Sequence, residues 1–266
     1  LDDATLVRYA RHLLLDEIGF EGQARLLQAS VLVVGAGGLG SPVAIYLASS
    51  GVGTLYIADG DRVDASNLQR QILHREGSVG LSKVASAQVT LAQVNPQTRV
   101  IPIGERLSGD LLDQTVARVE VVVDCSDNFA TRHALNRACV RYRIPLVSGA
   151  AIRFDGQLAV FDARRENAPC YHCLFPESAA PQEEACATLG VYAPLTGIVG
   201  TLQAAEALKL AGAFGQPRLD SLLLIEGRSL QFHRIEFGQD PACPVCRATG
   251  GAVASAPACL RPGTAG

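Results

Sequence analysis

The segment Val31–Gly40, VLVVGAGGLG, constrains this chain more than any other. Four aliphatic residues in a row, with neither polar alternation nor helical spacing, predict a parallel strand buried on both faces. The strand runs straight into Gly35, Gly37, Gly38 and Gly40. A loop of this kind lets backbone N–H groups approach a phosphate at the positive end of the helix that follows. Asp59 closes the next strand, LYIAD, and lies 19 residues after Gly40, near the spacing at which a carboxylate takes a ribose hydroxyl. On the glycines alone, a tight turn that binds nothing is the competing reading. With the strand, the following helix and Asp59 in place, the pattern predicts a nucleotide site. It does not say which nucleotide.

The 266 residues allow one large α/β domain or two small ones. Apolar residues make up 48%, as expected of a globular chain. A net charge of −3 argues against nucleic acid as the main partner. The start, LDDATLVRYARHLLL, lacks the pattern of a secretory signal. The most apolar long segment, Pro194–Phe214, carries Gln203, Glu206 and Lys209 at helical spacing, so a buried helix is expected there and no membrane span. A cytoplasmic location is the corresponding expectation, and eight cysteines then point to metal or reactive thiols.

Periodicity predicts helices over Thr5–Leu15, Gly22–Ala29, Ser41–Ser50, Ser82–Val94, Ser108–Val116, Asn128–Arg143 and Leu195–Leu210. Strands are expected at Thr54–Ala58, Arg99–Ile103, Val119–Cys125 and Pro145–Gly149. From Gln157–Asp162 onward an antiparallel extension follows, with strands near Ser221–Ile225 and Leu230–Phe237. Cys170–Cys173 is expected in a loop, Pro176–Leu189 is polar and poorly periodic, and residues 248–266 read as a disordered tail.

Three constellations carry chemistry. Cys170-Tyr-His-Cys173 and Cys243-Pro-Val-Cys246 are two CxxC pairs with 69 residues between them. Such pairs supply four thiolates to a closed, structural zinc, although unlinked thiols or a redox pair fit the bare spacing too. His172, inside the first pair, reads as a bystander. The long polar loop Asp59–Gly80 offers Asn67, Arg70 and Gln71, and Lys83 follows. Cations beside a phosphate loop suit a triphosphate, whose departing pyrophosphate they would neutralise; a solvated loop is the plain alternative. Asp127, at the carboxyl end of a buried strand, suits magnesium, with helix capping as the competing account. Cys186 stands apart among Glu183, Glu184, Thr188 and Gly190, neighbours that suit exposure better than a core.

RYARHLLL, VLVVGAGGLGSP, ASNLQRQILH, VGLSKVASA, DCSDN, VSGAAIR, CYHC, GVYAPLTGIVGTLQAAEALK and CPVC occur in that order from Arg8 to Cys246. The chain therefore resembles the MoeB/ThiF adenylyltransferases of the ubiquitin-activating-enzyme superfamily. The resemblance implies a Rossmann-like, mainly parallel sheet flanked by helices, with a C-terminal antiparallel extension and a structural zinc site. It implies a single adenylation domain over residues 1–247: N-terminal helices in 1–30, a nucleotide-binding half in 31–150, and a carrier-binding and zinc half in 151–247. The implied reaction is adenylation, by ATP with magnesium, of the C-terminal Gly-Gly carboxylate of a ubiquitin-like β-grasp sulfur-carrier protein, followed by thiocarboxylate formation.

In those terms Gly35, Gly37, Gly38, Gly40, Asp59 and Asp61 would bind ATP. Asn67, Arg70, Gln71 and Lys83 would contact phosphates, and Asp127 would serve magnesium and catalysis. Arg11 would enter the site from the opposite subunit of a homodimer. Cys170, Cys173, Cys243 and Cys246 would hold zinc. Cys186 aligns with a cysteine that some members link covalently to the carrier. No rhodanese domain follows Cys246, so the sulfur donor is expected to be a separate protein. VSGAAIR points toward a molybdopterin-synthase carrier, and LFPES toward the thiazole-synthesis carrier. Three further readings predict different residues. A nicotinamide oxidoreductase has no use for Arg70, Lys83 and Asp127. A non-catalytic β-grasp adaptor does not need them together with Arg11. A tRNA-modifying dehydratase fits poorly with the net charge of −3.

Overall fold

The computed structural model describes residues 2–179 and 189–247, so Cys186 and the expected tail lie outside the described residues. Its centre is a sheet in the order β3-β2-β1-β4-β5-β6-β7-β8. The strands β1 (Ser30–Val34), β2 (Thr54–Ala58), β3 (Arg99–Ile103), β4 (Val121–Asp124) and β5 (Leu146–Ile152) run parallel. Then the chain turns back on itself. Ile152 pairs with Asp155 across two residues, with Arg153 in the left-handed region at φ 51°. So short a connection can only join antiparallel neighbours. The strands β6 (Asp155–Phe161), β7 (Ser221–Glu226) and β8 (Gln231–Glu236) complete the antiparallel extension.

The sheet is covered on both sides. Val31, Val33, Val121 and Val123 point to one face and pack with Leu47, Leu91 and Val199. Leu32, Val34 and Val122 point to the other and pack with Leu112, Val116 and Leu135. Two-sided burial is why β1 and β4 read as unbroken aliphatic runs. The first face carries α3 (Gly19–Gln28), α4 (Gly40–Ser49), α5 (Lys83–Val94) and the long α9 (Ala193–Gly212). The second carries α6 (Gly109–Val116) and α7 (Phe129–Tyr142). Among the described residues, no helix is long and apolar enough to cross a membrane.

Two expectations need correcting. The single helix over Thr5–Leu15 is broken into α1 (Asp3–Arg8) and α2 (Ala10–Leu13). Tyr9 leaves helical geometry at φ −103° and is buried, with its hydroxyl accepting from Asn95 Nδ2 at 2.8 Å. Cys170–Cys173 is no loop: Cys170 caps the short helix α8 (Tyr171–Leu174), and the Cys173 N–H returns to the Cys170 carbonyl at 3.0 Å.

Candidate functional site

The strand order reverses between β1 and β4, and ligands of open parallel sheets bind at the carboxyl edge of that reversal. A cavity of about 610 Å³ opens there, lined in part by Gly35, Gly37, Gly38, Asp59, Asp61 and Asp127. Two glycines have specific reasons to be glycine. Gly35 sits at φ 96°, and a Cβ there would fall 2.6 Å from the Cys125 carbonyl oxygen. Gly40 does not line the cavity; a Cβ there would fall 1.8 Å from the Gly35 carbonyl, so its role is to let α4 close onto the strand.

Asp59 braces the loop. One carboxylate oxygen accepts from the Ala36 N–H at 2.8 Å and the other from the Asp61 N–H at 2.8 Å. A carboxylate has further lone pairs, so these two bonds leave it able to take a hydroxyl. Lys83 starts α5, capped by Ser82, and its ammonium is carried to the cavity with only 8% of the side chain exposed. It lies 2.9 Å from Asp61 Oδ2 and 3.8 Å from Asp59 Oδ2. The positive charge is thus held in place before any ligand arrives.

The polar loop divides its residues. Arg70 and Gln71 line the cavity, whereas Asn67 is not among the lining residues. Asn67 ends a 3-10 turn, and its carbonyl accepts from the N–H groups of Arg70 at 3.1 Å and Gln71 at 2.9 Å. Its visible work is to shape the turn that presents the other two. The Gln71 side-chain oxygen is buried with no hydrogen-bond partner. A buried acceptor left in this way calls for a ligand or water.

At the end of β4, Asp124 is fully buried and satisfied by the Ser126 N–H (3.0 Å), Ser126 Oγ (2.6 Å) and Ser148 Oγ (2.9 Å). Asp127 is exposed on the cavity wall. The capping account of Asp127 fails, because Asn128 caps α7, its side chain accepting from the Thr131 N–H at 2.8 Å. Ser126, delivered with Asp127 to the carboxyl end of the strand as the sequence implies, lines the cavity; so does Arg132, which sequence reasoning missed. Burial works against the Arg132 charge, yet Asp124, Tyr171 and Asp127 together outweigh that cost and hold its pKa above the usual value. Cys125 is a cavity-lining thiol, but burial and the Asp124 charge push its pKa well up, so it is no nucleophile. Arg11 is exposed on α2 and is not among the residues lining the cavity of its own chain.

The four expected cysteines meet although α9, β7 and β8 intervene in sequence. Their Sγ atoms are 3.9 Å (Cys170–Cys173), 3.7 Å (Cys170–Cys243) and 3.5 Å (Cys173–Cys246) apart. Tetrahedral zinc with bonds of ~2.3 Å needs sulfurs ~3.8 Å apart, so the donor set fits. Asn136 Nδ2 donates to Cys170 Sγ and Gln239 Nε2 to Cys246 Sγ, the outer contacts that orient thiolate ligands.

A glycine-loop pocket at the switch point of a mixed parallel and antiparallel sheet defines the class, an α/β nucleotide-binding protein. The chain belongs to the ThiF family, whose model matches residues 9–245. It is 44% identical to the molybdopterin-synthase adenylyltransferase of Salmonella typhimurium, over 92% of this chain and 98% of that one. It is also 44% identical to the sulfur carrier protein ThiS adenylyltransferase of Escherichia coli, over 92% and 97%. The SAMP-activating enzyme E1 of Haloferax volcanii matches at 44% over 92% and 90%. Among solved structures, E. coli MccB with ATP superimposes with a TM-score of 0.78 at 24% identity, over 90% of this chain and 73% of that one, a likeness of fold.

Proposed function

We propose that this protein is an ATP-dependent adenylyltransferase that activates the C-terminal carboxylate of a small sulfur-carrier protein. The reading is carried by one juxtaposition: a glycine loop, two cations (Arg70 and Lys83) and the exposed Asp127 around one cavity. The relatives at 44% identity, named as adenylyltransferases of molybdopterin synthase and of ThiS, support it.

Chemistry then follows from charge. The carrier carboxylate attacks the α-phosphorus of ATP, an acyl adenylate forms, and pyrophosphate leaves. The glycine loop holds the phosphates at the start of α4. Lys83 and Arg70 neutralise charge gathering on the leaving pyrophosphate, and preorganised charges of this kind are the main electrostatic term in such steps. Asp59 takes the ribose hydroxyls. Asp127 would hold magnesium, which when bound shields the phosphate oxygens. Arg11, absent from its own cavity, would be supplied by a second copy of the chain.

Zinc in the four-cysteine cluster would be structural, since four thiolates leave no open coordination position. The carrier is proposed to be of the molybdopterin-synthase type. The ThiS type is the second reading, favoured by an equal 44% identity to a ThiS adenylyltransferase. The test is ATP–pyrophosphate exchange with each carrier in turn. Exchange dependent on a carrier is the expected result, and the carrier that supports it names the partner. Absence of exchange with either, despite bound ATP, would overturn the reading.

A further inference from the structure

A second group of metal-ligating side chains adjoins the cysteine knuckle and lies outside the lining of the nucleotide cavity. His133 on α7, His172 on α8 and Glu177 on the 3-10 turn Glu177–Ala179 each offer a donor atom, all within 4.8 Å of one another. His133 is buried, 4% exposed, and neither of its ring nitrogens has a hydrogen-bond partner. His172 Nδ1 is likewise buried and unpartnered. Neutral imidazole must offer one donor and one acceptor, and leaving both idle in the interior costs free energy that native structures ordinarily avoid.

Ring packing accounts for the positions of these side chains but not for their nitrogens. The His133 ring stands edge-on to Tyr171 at 5.2 Å and to His172 at 5.8 Å. His133 Nδ1 is 3.7 Å from Glu177 Oε1, too long for a hydrogen bond. That gap is of the size left between two ligands of one ion, since donors ~2.0–2.1 Å from a tetrahedral metal are ~3.4 Å apart. Glu177 also accepts from Arg137 on the same oxygen. A carboxylate ligand oriented by an outer hydrogen bond is the usual arrangement, and the remaining lone pairs stay available.

We propose that His133, His172 and Glu177 form a second divalent-metal site, of the two-imidazole, one-carboxylate type that suits zinc, distinct from the four-cysteine cluster. Bound there, the ion ties α7, whose first turn follows Asp127, to the knuckle and to the turn preceding residue 180. His172 is then no bystander. The cysteines flanking it serve one site and its imidazole serves the other.

The test reconstitutes metal-free full-length chain with cobalt(II), reading total metal content and the optical spectrum together. Wild type is expected to take up two equivalents. One gives the intense sulfur-to-cobalt charge-transfer band, and the other gives only weak ligand-field bands. His133→Gln and, separately, Glu177→Gln should drop uptake to one equivalent with the charge-transfer band intact. Glu177 is half-exposed, so its variant keeps the test informative should His133→Gln fold poorly. A single equivalent in wild type with the full charge-transfer band would overturn the proposal, as would two equivalents persisting in both variants. Failure of the cysteine site is separately visible, as loss of that band alone.

Discussion

The two halves of the sheet are built on different terms. In the parallel half, β4 is buried at every position and β1 at every position but its first, and the polar residues gather beyond the carboxyl ends. In the antiparallel half, β8 is exposed along its whole length, with Phe232 and Ile235 open to solvent. Both hydrophobic layers run on beneath β6 and β7 but leave β8 open, and the second half has in addition the four-cysteine cluster, which packs the end of the described chain against α7 through Asn136 and Val140. A half with a deep core can place charges at its rim without endangering the fold. A half with one poorly covered strand depends on a local fastening.

The comparison can be broken experimentally. The largest effect belongs to the rim. Lys83→Ala or Asp127→Ala should cut carrier-dependent exchange by ~10²–10³-fold, the size typical of deleting a charge-stabilising group. For the exposed Asp127, thermal unfolding should barely move, within about 0.5 kcal/mol. Next comes the fastening. Cys243→Ser, or metal removal by chelation, should lower stability by roughly 4 kcal/mol while ATP affinity holds. If Cys243→Ser instead abolished exchange with an unchanged melting temperature, the division of labour would be wrong.

A smaller effect sharpens the first half. Gly40→Ala places a Cβ 1.8 Å from the Gly35 carbonyl, so α4 must retreat. A loss of ~1–3 kcal/mol is expected, with weaker ATP binding by calorimetry as the loop shifts. The smallest is a pH effect. Burial holds His74 below its ordinary value of 6.5, despite the hydrogen bond to the Ala36 carbonyl. Its contribution is therefore complete above pH 6.5 and declines as pH falls from there, because the unfolded chain takes up the proton first. The slope is at most about 1.4 kcal/mol per pH unit, and it should flatten in His74→Gln on melting curves.

How much was legible in the sequence differs by region for a physical reason. Strands such as Thr54–Ala58 and Arg99–Ile103, the Ser82 cap and the glycine loop are local patterns, and the sequence reading places them within a residue or so. The meeting of Cys170 and Cys243 is long-range, but a CxxC pair advertises its partner. Arg132 could not be seen. Arg132 looks like any helix arginine until folding sets it against Asp124 and the Ser126 carbonyl. Asn67 sits in the expected loop, and what the turn itself uses is its backbone carbonyl, which sequence does not reveal. The break at Tyr9 was hidden because its cause, Asn95, is 86 residues away.

Gln203 on α9 donates to the carbonyls of Asp124 (2.7 Å) and, more loosely, Val147 (3.4 Å), and its amide fills the space a Cβ on Gly149 would need. It works as a dowel through the sheet. Helix α9 cannot slide along β4 and β5 without breaking buried bonds, so the two travel as one body. A force applied at its amino end, where Thr196 reaches the cavity, would arrive three residues from Asp127 as a tilt and never as a slip.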